Sequence, residues 1–113
     1  MCSANKPNEI NRQMLDCYRE TYGADLRSVI LYGSYARNDE TDESDVDLMY
    51  LVDSPREVIS ARNWQVGEAA ADLVMEYGIL VSPVVENRDY YLRNRELLPF
   101  FANIQREGVK MRA

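Results

Sequence analysis

The run "DVDLMYLV", Asp45 to Val52, is apolar at every position after Asp47. Alternate residues of a strand point to opposite faces, so this run is greasy on both and belongs inside a sheet rather than at its wet surface. A second short run, "SVILY" (Ser28 to Tyr32), is β-branched and sharply bounded by Gly33, which also reads as a buried strand. Both need helices to cover them. From Glu9 to Tyr22, Ile10, Met14, Leu15, Tyr18 and Tyr22 recur at helical spacing, and Gly23 follows where a left-handed cap is expected. Ser54, Pro55 and Glu57 have the order of a capping box, opening a helical region that runs to Tyr77 and stops at Gly78, with Gly67 a candidate kink or break. "ILVSPVVE" (Ile79 to Glu86) is a third strand, and Pro83 assigns it to an edge or a bulge. The remainder reads as one or two helices ending at Gly108, with "VKM" a short final strand. The element order predicts one α/β (α+β) domain over residues 1–113, a small mixed sheet flanked by helices.

Between the first two strands lies "GSYARNDETDESDVD", with six carboxylates in its last nine positions. Charge runs are usually solvated faces. Here Asp45 and Asp47 lie two apart at the mouth of a buried strand, so they leave the same face with Cβ atoms roughly 6–7 Å apart. Carboxylates that close repel each other unless one takes a proton or a cation sits between them, and Mg²⁺ suits such hard oxygen ligands. Upstream, Gly33 permits close backbone approach, the backbone N–H groups and the Ser34 hydroxyl can receive phosphate oxygens, and Arg37 adds a fixed charge. Phosphate donors and metal-binding acids then meet at one sheet edge, as phosphoryl or nucleotidyl transfer requires.

The spacing is specific. Tyr32, Gly33 and Ser34, followed after ten residues by Asp45, Val46, Asp47 and Leu48, resemble the signature of the DNA polymerase beta-like nucleotidyltransferase superfamily. "GSYARNDETDESDVDL" resembles its minimal nucleotidyltransferase (MNT) branch, many members of which are antitoxins encoded beside a helical HEPN ribonuclease toxin. The resemblance implies Mg²⁺-dependent transfer of AMP from ATP to a hydroxyl acceptor, with a tyrosine of a HEPN toxin the acceptor it suggests. Carried over, Gly33 and Ser34 bind the triphosphate, Asp45 and Asp47 are the catalytic metal ligands, and Arg37 contacts phosphate. Ser44 either touches a phosphate or closes the start of the strand. The other acids keep the loop solvated.

Two departures from the family pattern stand out. Asn38 occupies a position often held by Gly, and Asn is the residue that best tolerates a left-handed backbone after Gly. Active relatives usually carry a third carboxylate on the later strand, where this chain offers Ser82, with Glu86 on the same face but roughly 13 Å further along. A non-catalytic antitoxin that neutralises a HEPN partner by complex formation is therefore the alternative. The C-terminal Tyr90, Tyr91, Arg93, Arg95, Phe100 and Phe101 are either core or partner surface.

Formal net charge is −6, which argues against direct DNA binding or adhesion to an anionic membrane. Cys2 and Cys17 lack metal-ligand spacing in a chain without His and read as structural thiols of a reduced compartment. With no signal-peptide pattern and no membrane-length apolar run, a soluble cytoplasmic protein is expected.

Overall fold

The structure, a computed structural model, describes residues 5–78 and 80–113. Cys2 lies outside that range, as does Ile79, the first residue expected of the third strand. Helix α1, Asn5–Tyr22, begins a turn earlier than its apolar stripe because Pro7 is tolerated in a first turn, where N–H groups have no helical partner. Its buried apolar stripe includes Ile10, Met14, Leu15, Tyr18 and Tyr22. A single 3-10 turn, Gly23–Asp25, follows, with Gly23 left-handed at φ 57°. Strand β1 is Leu26–Tyr32, α2 is the short turn Ser34–Arg37, and β2 is Val46–Val52. Next come α3 (Arg56–Tyr77), β3 (Val81–Asn87), α4 (Arg88–Asn94), α5 (Pro99–Glu107) and β4 (Val109–Met111).

The four strands form one mixed sheet in the order β3-β2-β1-β4. β2 runs antiparallel to β1 and parallel to β3, and β4 is antiparallel to β1. The two apolar runs are thus the two inner strands. Pro83 sits on the edge strand β3, where its missing N–H costs no ladder bond on the outer side.

Two sequence expectations for α3 are corrected. Ser54 does not cap the helix: its hydroxyl donates to Asp25 Oδ2 at 2.7 Å, and Pro55 is the N-cap, its carbonyl accepting the N–H groups of Val58 and Ile59. An acidic partner that the fold brings from the 3-10 turn before β1 outcompetes the helix's own amides. Gly67 does not divide the helix, which runs unbroken through it with its stripe of Ile59, Val66, Ala70 and Leu73 buried. Gly78 ends it left-handed at φ 67°.

Strand alternation splits the core in two. Val46, Leu48, Tyr50 and Val52 of β2, with Val29 and Leu31 of β1, pack against α1 and α3. Met49 and Leu51, with Tyr32 of β1, pack against Tyr91 of α4 and Phe101 and Ile104 of α5. In the larger core Tyr50 donates to Asn11 Oδ1 at 2.7 Å, and Asn11 Nδ2 donates to the Arg112 carbonyl at 2.8 Å, tying α1 to the C-terminal segment. Cys17 packs at the margin of this core. Among the described residues no helix is long and apolar enough to cross a membrane.

Candidate active site

The site grows from the ladder between β1 and β2. Tyr32 pairs with Asp47 across that ladder, and Asp47 pairs with Ser82 on the other side. Asp45, Asp47, Met49 and Leu51 share a face by alternation, the face covered further along by α4 and α5. Both acids are half-buried, which excludes a merely solvated loop at these two positions.

Gly33 turns the chain out of β1 at φ 77°, ψ −158°, a backbone region open in practice only to glycine. The position is also crowded: a Cβ there would lie 2.3 Å from Asp47 Oδ2. Glycine therefore lets the backbone of the turn and the carboxylate of the next strand meet. The Gly33 carbonyl accepts the N–H groups of Ala36 and Arg37 at 3.1 Å each, closing α2. Ser34 is half-buried in this turn, and its hydroxyl has no hydrogen-bond partner among the described residues. Asn38 ends the turn at φ 61°, ψ 32°, the left-handed conformation expected of it.

Burial first, and then the charge of Asp45, pushes the Asp47 carboxyl up to about 6; Arg37 opposes the shift and Glu107 adds to it. A half-buried carboxylate held beside another is a group short of positive charge. That chemistry fits a divalent cation, for which Asp45 and Asp47 are the ligands the chain offers; among the described residues no cluster of three or more such ligands exists. Tyr32 responds to the same environment, its phenol pushed up to about 12 by burial and by Asp47.

Gly33, Ser34, Arg37, Asp45 and Asp47 are thus brought together, whereas Ser44 is engaged elsewhere. Its Oγ accepts the Thr41 N–H at 2.8 Å and its N–H donates to the Thr41 carbonyl, closing the loop before β2. Ser82, beside Asp47 in the ladder, donates to Asp45 Oδ2 at 3.5 Å. Glu86 points to another use, an ion pair with Arg56 at 3.4 Å. The residue that sequence reasoning missed is Glu107, at the end of α5: Oε1 accepts the Gly33 N–H at 3.1 Å and Oε2 accepts Arg37 Nη1 at 3.0 Å. It lies 74 positions from Gly33, and no local pattern marks it.

Residues 12–105 match the family described as nucleotidyltransferase domain. Two proteins of Methanocaldococcus jannaschii that carry the provisional name protein adenylyltransferase are similar to the chain. One is 26% identical over 86% of this chain and 89% of its own length. The other is 36% identical over 77% of this chain but only 60% of its own length. A crystal structure of a toxin-antitoxin with AMP-PNP shares the fold, with a TM-score of 0.57 at 17% identity, covering 88% of this chain and 69% of that one. A match over most of the chain, with the signature residues gathered at one end of the two inner strands, leads to one conclusion: this chain belongs to the nucleotidyltransferase domain family.

Proposed function

We propose that the chain moves a nucleoside monophosphate, AMP from ATP, to a hydroxyl of a protein partner, releasing pyrophosphate. The observation that carries this reading is the meeting of Gly33 and Asp47, where a turn rich in phosphate-binding groups touches a charge-crowded acid. Gly33, Ser34 and Arg37 hold the triphosphate, and Asp45 and Asp47 hold Mg²⁺, which neutralises phosphate charge when bound. The acceptor hydroxyl gives its proton to solvent and its oxygen bonds to the α-phosphorus, as the bond from that phosphorus to the bridging oxygen breaks and pyrophosphate leaves with the electron pair. The names of the relatives support a protein acceptor. The toxin-antitoxin neighbour supports a partner that completes the cleft, and a helical HEPN-type toxin modified on a tyrosine is the partner proposed. The exposed Phe100, whose ring meets Tyr32 edge-on at 5.6 Å, is suited to that contact.

A second reading, neutralisation by binding alone, draws on Ser82, beside Asp47 on the strand where the family resemblance implies a third acid. One experiment separates the two. Incubated with α-labelled ATP, Mg²⁺ and the partner, the wild type is expected to label the partner, and Asp45→Asn with Asp47→Asn to abolish labelling while the domain stays folded and the complex intact. Labelling by the double variant would overturn the site; a complex without labelling by the wild type would favour binding alone.

A further inference from the structure

The donors assigned to the triphosphate are already taken by an anion of the chain's own. The Glu107 carboxylate spans them with both oxygens, one on the Gly33 N–H at 3.1 Å and one on the Arg37 guanidinium at 3.0 Å. A pair of phosphate oxygens would make the same two contacts. The arrangement sets up a direct conflict, because a triphosphate and a carboxylate cannot occupy the same N–H and the same guanidinium edge, and two anions about 3–4 Å apart repel strongly in a partly desolvated site. Either phosphate does not bind there or Glu107 leaves.

The surroundings allow it to leave by side-chain rotation alone. The Glu107 side chain is 21% exposed, so water can receive it. Its backbone is anchored: a Cβ on the next residue, Gly108, would lie 2.5 Å from the Ile104 carbonyl and 2.6 Å from Ile30 Cγ2, so helix end and strand are in close contact. The N–H of Gly108 also donates to the Ile104 carbonyl at 2.7 Å. Arg37 keeps a second acid, Asp39, at 3.1 Å and so stays oriented when Glu107 is gone.

We infer that Glu107 is a built-in competitor for the phosphates: its carboxylate holds the Gly33 N–H and Arg37 without nucleotide, swings into solvent when a triphosphate enters, and returns as pyrophosphate leaves. The inference rests on the reading of Gly33 and Arg37 as phosphate-binding groups. Its role is to position the turn and to set nucleotide affinity, without touching the reacting atoms.

The test is a calorimetric titration of the full chain with sodium tripolyphosphate without metal, which probes the donors separately from Asp45 and Asp47. Glu107→Gln, which removes the charge and keeps the shape, is expected to bind about tenfold tighter than wild type. Its melting temperature without ligand is expected to fall while its gain on adding tripolyphosphate rises; a purely structural tie would lower the first and leave the second unchanged. In the wild type the Gly33 amide resonance should shift on titration. Tighter binding by Glu107→Ala as well would support the inference should the glutamine side chain keep part of the bridge. Equal or weaker binding by both variants, with Arg37→Gln weakening binding, overturns the competitor alone. Absence of tripolyphosphate binding, or binding indifferent to Arg37→Gln, overturns the phosphate reading of the turn and the competitor with it.

Discussion

The two faces of β2 are built from alternate residues of one short strand and serve opposite ends. On one, Val46, Leu48, Tyr50 and Val52 are fully buried beneath α1 and α3, and Tyr50 stacks on Tyr18 with ring centroids 3.6 Å apart. On the other, the sequence starts with Asp45 and Asp47 and becomes apolar only at Met49 and Leu51, under Phe101 and Ile104. The first face is closed along its whole length. The second is closed for half of it, and α5 ends beside the open half with a carboxylate instead of another apolar residue. Burial of the first face supplies the stability that lets the second keep two crowded acids, of which Asp47 opposes folding when charged. A strand closed on both faces would be more stable and would have no site.

The largest effect should come from breaking the closed face. Leu48→Ala removes a fully buried side chain and is expected to cost about 2–5 kcal/mol in urea unfolding. Leu97→Ala, at a residue 75% exposed just before α5, should change stability by no more than about 0.5 kcal/mol. Similar losses at the two positions would erase the distinction between a face built for stability and a rim left free for a partner.

A smaller effect, about 1–3 kcal/mol, is expected at the junction of the faces for Gly33→Ala. Gly23 provides the control, because it too has a positive φ, 57°, but nothing within 4 Å of where a Cβ would stand. Gly23→Ala therefore reports the backbone cost alone, about 1 kcal/mol. Gly33→Ala adds the collision with Asp47 and should also weaken binding of Mg²⁺ with ATP. Equal costs at the two glycines, with unchanged nucleotide binding, would show that the approach of Asp47 to the turn has no consequence.

How much of this was legible beforehand follows the range of the interactions. The inner strands were readable because burial on both faces leaves a continuous apolar run, and the acid pair because period-two alternation puts Asp45 and Asp47 on one face. Asn38 was readable because a left-handed turn restricts residue type locally. The capping box failed for the opposite reason: Ser54 had a second partner, Asp25, that is distant in sequence and adjacent in the fold. Ser44 was ambiguous because a hydroxyl that can bind phosphate can equally accept the Thr41 amide. Glu107 was invisible, since an acid in the last turn of a helix is common and only the packing of α5 against the sheet brings it to Gly33 and Arg37. Of the C-terminal aromatics, Tyr91 and Phe101 lie in the core and Phe100 is exposed.

The smallest effect is the most diagnostic of the open face. With its carboxyl pushed up from 3.8 to about 6, Asp47 keeps a proton in the folded chain that the unfolded chain has already released. Stability from this group is fully present below about pH 4 and is lost as pH rises through about 6, because the unfolded state then gains more from ionisation than the native state does. Asp47→Asn carries no such penalty. The variant should match wild type near pH 4 and become the more stable of the two by pH 7, by about 1 kcal/mol once solvent screening of a half-exposed carboxylate is allowed for. Other carboxylates titrate in both proteins and largely cancel in the difference. Saturating Mg²⁺ with ATP should reverse the order at pH 7, since the wild type gains roughly 2.7 kcal/mol at a hundredfold excess over its dissociation constant and the variant lacks one of the two acids proposed to hold the metal. Urea unfolding of both proteins at pH 4, 5, 6 and 7, with and without Mg²⁺ and ATP at fixed ionic strength, provides the measurement. A difference that stays flat with pH would mean that Asp47 is hydrated like an ordinary surface acid, and a difference that ligand does not reverse would mean that the open face holds no metal.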